Sequence, residues 1–228
     1  MVASAAVVVT ATSALAVPRT MQVEWENTIS QGTEKVSLHS TTRIKENRIR
    51  IDTTGNLTKS PGAMANSTII VDLPAKVAYM INDKTKSATR VNLDQAGGQM
   101  GLGAMGLSPK LDQLVAELKK RGAKVIGKDT VLGHPCDIFQ MTQNGAGNEA
   151  VTSKFWVATD LGMPLRAETS TKSKGVIGTA KAQSFKADLT LADALFQVPA
   201  SYKVTDMADL AKRMQEAAKK QQAVPQGH

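Results

Sequence analysis

The sequence predicts a mainly β fold of the α+β class, with about ten strands in one antiparallel meander, closed or partly closed. Three observations predict it. Apolar and polar residues alternate over most of the chain, the period-2 signature of half-buried strands. Turn signals punctuate that alternation at short intervals: Thr54-Gly55-Asn56, Asn82-Asp83, Leu132-Gly133, residues 145–148 and Asp160-Leu161-Gly162. Helical periodicity is confined to three places.

Taken in order, residues 1–16 are small and apolar and end in Ala14-Leu15-Ala16. This reads as a secretory signal peptide whose basic n-region is missing, so the mature chain is expected to begin near Val17. The stretch is too short and too weakly apolar to span a membrane. Val23, Trp25 and Ile29 then share one parity, Val36 and Leu38 repeat it, and Ile49 and Ile51 alternate with Arg48 and Arg50. "STIIVDL" and "KVAYMIN" are apolar at both parities and are expected to face apolar matter on both sides. "SATRVNL", "AKVIGKDTV", "CDIFQM", "SKFWVA", "MPLRAE" and a long run around Val176 to Phe185 complete the strands.

The best helix signal follows Ser108 as N-cap and Pro109 at the first helical position. Leu111, Leu114, Val115 and Leu118 fall at i, i+3, i+4 and i+7 and make one apolar stripe. Lys119 to Arg121 suit the C-terminal end of the helix dipole, and Gly122 closes it. A short turn runs from Thr190 through Ala192 to Leu195. A last helix is expected from near Thr205, with a thin stripe of Met207, Leu210 and Met214 and a frayed tail. One domain over residues 17–204, with 205–228 as an appendage, accounts for the chain.

Composition narrows the function. Aromatics are only 4% of 228 residues, too few for a protein that stacks nucleic-acid bases on aromatic platforms. The net charge of +8 is spread along the sequence as a solvated basic surface. The single cysteine, Cys136, rules out a disulfide framework and reads as a buried structural thiol. His134 shares its strand face, but the nearby sequence supplies no third group to orient a nucleophile. His39, His134 and His228 lie on separate elements, so no metal spacing arises, and no G-x-S-x-G or P-loop occurs. Neither catalysis nor a cofactor is expected.

The uncharged stretch "AGGQMGLGAMGLSP", residues 96–109, leads into the amphipathic helix. Its glycines make it pliable and its methionines adapt to irregular apolar surface. It reads either as a cap on the core or as a movable lid over an apolar cavity.

Three segments resemble one family. "GKDTVLGHPCDIFQM" resembles a strand–glycine hairpin with a lone Cys. "FWVATDLGMPLRAE" resembles a hairpin with Trp156 on one strand, Asp160 and Gly162 in the turn, and Pro164 and Arg166 entering the next. "ALFQVPASYKV" resembles a closing motif with Phe196, Val198, Pro199 and Tyr202. Together they resemble the LolA/LppX-like lipoprotein-carrier superfamily, in particular its uncharacterised periplasmic branch. The resemblance implies a strongly curved antiparallel sheet forming an incomplete β-barrel, with helices covering the concave face and acyl chains or lipidated partners held in the concavity. It implies an exported, periplasmic binding or carrier protein for an apolar ligand such as a lipid or lipoprotein acyl chain, with peripheral membrane contact. The alternative is an envelope protein-interaction or sensing module with the same fold and no lipid cargo. Trp25, Met100, Leu102, Met105, Leu111, Leu114 and Leu118 are the residues expected to line the cavity or lid.

Overall fold

The computed structural model describes residues 20–31, 34–55, 66–94, 114–145, 149–212 and 216, and the alternation of the sequence becomes twelve strands within them. In chain order they are β1 (Thr20–Gln31), β2 (Glu34–Lys45), β3 (Arg48–Gly55), β4 (Ser67–Asp72), β5 (Val77–Asn82) and β6 (Ser87–Asn92). Helix α1 (Leu114–Lys120) follows, and then β7 (Lys124–Val131), β8 (His134–Asn144), β9 (Ala150–Ala158), β10 (Pro164–Thr171), β11 (Gly175–Ala187) and β12 (Lys203–Asp206). All belong to one sheet in the order β12-β6-β5-β4-β3-β2-β1-β11-β10-β9-β8-β7, which has two ends and is not closed into a barrel.

Register explains the core. Ala187, Met21, Ile44, Ile49, Val71, Ala78 and Val91 lie side by side across β11, β1, β2, β3, β4, β5 and β6. The next row on that face is Phe185, Val23, Thr42, Ile51, Ile69 and Met80. Period-2 alternation on every strand puts these residues on one face, and a one-residue slip would turn each row over. Burying one such side chain is worth about 1.5–3 kcal/mol. Met21, Val23, Ile44, Ile49, Ile51, Ile69, Val71 and Ala78 of these rows form the main apolar cluster, which continues through Val131, Cys136, Trp156, Ala158 and Leu165.

The opposite face explains why β4 and β5 are apolar at both parities. Ile70, Ile81 and Ala88 form a separate cluster with Tyr79, Val198 and Tyr202. The chain after β11 supplies that cover, through a 3-10 turn at Asp193–Phe196. Cations of β2 and β3 fasten it. Lys45 Nζ and Arg48 Nη2 pair with Asp193 Oδ1 at 2.9 and 3.0 Å, and Arg50 Nη1 donates to the Leu195 carbonyl at 3.0 Å.

Four expectations are corrected. There are twelve strands rather than about ten. They do not form one simple meander, because β1 pairs with β11 in the middle of the sheet, which puts β6 and β7 far apart. Not every pairing is antiparallel: β12 runs parallel to β6. The last helix does not start at Thr205. Residues Lys203–Asp206 extend along β6, with Lys203 N donating to the Lys86 carbonyl at 3.0 Å, and the helix (α2) occupies 207–212. The unpaired edge of β6 offers backbone partners that outweigh the helical preference of two residues.

Two local readings hold. Gly122 closes α1 at φ 85°, with Ala123 N bonded to Leu118 O and Gly122 N to Lys119 O, the paired bonds of a Schellman end. The Leu132-Gly133 turn has φ of 53° and 83°, the primed geometry that matches the twist of paired strands. Of the predicted helix, Leu114–Lys120 is described; Ser108, Pro109 and the glycine-methionine stretch lie outside the described residues.

Candidate apolar-ligand site

Leu114 and Leu118 are four residues apart on α1, so they project from the same side of the helix. Both are buried in one cluster with Ala123, Phe139 and Met141 of β8, and Phe155 and Val157 of β9. Val115 and Ala167 pack against its margin. Phe139 and Met141 share a strand parity, Phe155 and Val157 share another, and Phe139 stands directly opposite Phe155. The four residues therefore make an apolar floor and α1 makes its roof. Phe139, 1% exposed, sits at the centre.

Trp25 belongs elsewhere. It is half-buried on β1 and packs against the main cluster, together with Leu73, Leu93, Ile138 and Phe185. The structure thus brings Leu114 and Leu118 together and places Trp25 in a different cluster. Met100, Leu102, Met105 and Leu111, with the predicted lid, lie outside the described residues. The floor residues Phe139, Met141, Phe155 and Val157 were not singled out from sequence. Their signal was the parity within "IFQM" and "FWV", which becomes a site only once β8 and β9 are paired.

On the opposite face of β9, in the main cluster, Trp156 is 6% exposed and its indole N–H donates to Asp129 Oδ2 at 3.0 Å. The Arg166 guanidinium lies 4.2 Å from the Trp156 ring centroid, a cation–π contact that covers the indole. His134 Nδ1 is 2.6 Å from Asp160 Oδ2, and its ring meets Phe185 edge-on at 5.2 Å between centroids. Asp160 is the orienting group that sequence proximity did not reveal. It does not make a nucleophile of Cys136, whose Sγ donates to the His134 carbonyl at 3.4 Å rather than to the ring. Cys136 is 2% exposed, and burial, aided by the nearby carboxylates Asp129, Asp160 and Asp137, pushes its thiol up from its ordinary pKa. The thiolate is the reactive form, so folded protein is expected to react with Ellman's reagent at least about a hundredfold more slowly than urea-unfolded protein. Equal rates would contradict the buried-thiol assignment.

Among the described residues, no group of three or more His, Cys, Asp or Glu is placed to hold a metal ion. No helix among them is long and apolar enough to cross a membrane.

A single mainly antiparallel sheet with few helices and three apolar clusters among the described residues defines the class of fold. The chain belongs to the family described as domain of unknown function DUF4412, whose model matches residues 24–169. No curated protein matches its sequence. Among solved structures, it is similar to an uncharacterized conserved protein from Thermus thermophilus, with 13% identity, 83% of this chain and 91% of that chain covered, and a TM-score of 0.49. It is also similar to a chain of the Pseudomonas aeruginosa MucA/MucB complex, with 12% identity, 82% and 58% covered, and a TM-score of 0.46. The chain therefore spans somewhat over half the length of that neighbour. A LolA superfamily protein from Nitrosomonas europaea is similar at 10% identity, 79% and 90% covered, and a TM-score of 0.37.

Proposed function

We propose that this chain is an exported binding or carrier protein of the cell envelope that takes an apolar ligand, a lipid or lipoprotein acyl chain, without catalysis. The observation that carries the reading is the roofed floor. A short amphipathic helix covers Phe139, Met141, Phe155 and Val157, and it stands at the end of the uncharged glycine-methionine stretch. Each methylene of an acyl chain transferred to such a surface contributes about 0.8 kcal/mol, so a long chain binds without specific polar contacts. The sheet is proposed to curl as a half-barrel toward the face of its main cluster, the face opposite the roofed floor. Phe185 and His134 support this: their strands are three places apart in the sheet, about 14 Å if flat, yet their rings touch. The buried, high-pKa thiol of Cys136 supports a non-catalytic role.

A second reading has its own support. Met21, Val23, Ile44, Ile49, Val71 and Leu165 are all at most 1% exposed, which describes a filled core. A filled core suits an envelope protein-interaction or sensing module. Mass spectrometry of organic extracts of protein from its native envelope, with uptake of a fluorescent long-chain fatty acid, separates the two. Co-purifying lipid and saturable uptake are expected. A clean extract and no uptake would favour the interaction module.

A further inference from the structure

We infer that one end of the sheet is a docking surface for an anionic lipid bilayer: the end that carries the β1–β2, β5–β6 and β10–β11 turns and the C-terminal end of α1. The inference stands apart from the carrier reading, because it concerns where the protein sits and not what it holds.

Along the sequence the cations look scattered; the fold sorts them. Antiparallel pairing fixes which turns share an end of the sheet. At this end α1 finishes in Lys119, Lys120 and Arg121 and runs into Lys124 at the start of β7. The β10–β11 turn carries Lys172 and Lys174, and the β5–β6 turn Lys84 and Lys86. Carboxylates are fewer here, and two are engaged: Asp83 accepts from the Tyr202 hydroxyl at 2.7 Å, and Glu149 from Ser173 N at 2.9 Å. Glu34 and Glu117 complete them. Among the described residues, none of these eight cations makes an ion pair.

The opposite end is the reverse. Asp72, Asp94, Asp160 and Asp188 lie there with Glu46. Most of its cations are taken: Lys76 pairs with Asp94 at 3.0 Å, and Lys45 and Arg48 share Asp193, while Lys186 makes no ion pair among the described residues. Among the described residues the charge is therefore partitioned along the strands, with most of the unpaired turn cations at one end.

That end also exposes aliphatics. Ile29 and Val176 are 41% and 45% exposed, and Val125 and Ile126 are 49% and 50% exposed. The first two neighbour each other, since Ser30 Oγ donates to the Val176 carbonyl. The second two follow Lys124 where a bulge breaks the β7–β8 register. Three strands separate the pairs, so they form two tips and not one contiguous patch. A soft planar phase admits each tip separately, whereas a protein anchor needs a continuous desolvated centre. Lysines beside the tips extend their stems along the acyl boundary and leave the ammonium among anionic headgroups. Among the described residues no large aromatic is exposed there, which disfavours nucleic acid.

Sedimentation of the full chain with vesicles tests this, using pure phosphatidylcholine and phosphatidylcholine doped with phosphatidylglycerol. Binding is expected only to the doped vesicles and is expected to vanish near 1 M salt, where the screening length is about 3 Å. Lys172→Glu/Lys174→Glu should weaken it about tenfold or more, and Ile126→Ser several-fold at unchanged charge. The charge-matched Lys76→Glu/Lys186→Glu, at the other end, should alter it less than about twofold. All these residues are exposed, so circular dichroism should show each variant folded. Equal losses from both double variants would reduce the effect to net charge and overturn the assignment. So would equal binding to both vesicles, absence of binding to either, or retention by polyglutamate alone, which would point to an acidic protein. Fatty-acid uptake is measured separately, so loss of one property leaves the other readable.

Discussion

Phe139→Ala is expected to lower the unfolding free energy by about 3–5 kcal/mol, as truncation of a fully buried phenylalanine does when its surroundings cannot collapse. The ring is 1% exposed, stands across from Phe155 and lies in the cluster that α1 roofs. Its neighbours on β8 and β9 are held by ladder hydrogen bonds, so the vacated space cannot close fully. A urea titration should show a lower midpoint with an unchanged slope. Leu114→Asp touches the same cluster from the helix side and should behave differently. It places a carboxylate against apolar surface, at a cost large enough to expel the helix. Leu114–Lys120 is only two turns long and close to no stability of its own. The helix should therefore undock while the sheet stays folded, with a smaller loss in the urea midpoint than for Phe139→Ala. Fast hydrogen exchange confined to α1 would show this. A loss as large as that of Phe139→Ala, with exchange raised across β8 and β9, would make α1 an integral cap of the core and remove the physical basis for a movable roof.

The contrast between these positions shows what the sequence could convey. Phe139 and Met141 were legible as one parity of a strand, and Leu114 and Leu118 as one stripe of a helix, because those periods are local. That the stripe rests on those two strands is set by pairing β8 with β9 and by the path of the chain before α1, and neither leaves a local signature. The β1–β11 pairing was hidden for the same reason: Met21 and Ala187 lie at opposite ends of the fold's sequence. "STIIVDL" was read correctly as two-sided. Its second cover, Val198 and Tyr202, comes from a distant part of the chain, and no local pattern links the two. Thr205 and Asp206 went astray because a tetrapeptide's helix propensity is weak beside an open strand edge. The charge partition was invisible for a different reason. Alternate turns of an antiparallel sheet share an end, so neighbouring charges in sequence separate in space and distant ones meet.

Asp52 supplies the other large expected effect. Its carboxylate lies on the face opposite the main cluster, where Arg43 and Arg50 stand next to each other on β2 and β3. Arg43 Nη1 reaches Asp52 Oδ2 at 2.6 Å, Arg50 Nη2 reaches Oδ1 at 2.8 Å, and Thr68 Oγ1 donates to Oδ1 at 2.8 Å. Arg43 Nε also donates to Gln22 Oε1 at 3.0 Å, and Arg50 to the Leu195 carbonyl, so the group ties β1, β2, β3, β4 and the C-terminal cover together. Burial alone would raise the Asp52 pKa. Hydrogen bonds from Arg50 and Thr68 and the two guanidinium charges outweigh it and hold the carboxyl below its ordinary value. A pKa lower in the folded than in the unfolded state means that unfolding takes up protons. The contribution of Asp52 is therefore complete above the unfolded pKa and is lost as pH falls through the folded one. Asp52→Ala leaves two half-buried guanidiniums side by side without their shared counter-ion. A cost of about 2–3 kcal/mol at neutral pH follows, between the values for exposed and fully buried pairs. The difference from wild type should shrink as pH falls from about 4 toward 2, because protonation removes the same charge from the wild type. Urea titrations of both proteins at neutral and acid pH measure it. If the difference were the same at both, the loss would be one of packing, and Asp52 would not be the electrostatic tie that holds the C-terminal cover on the sheet.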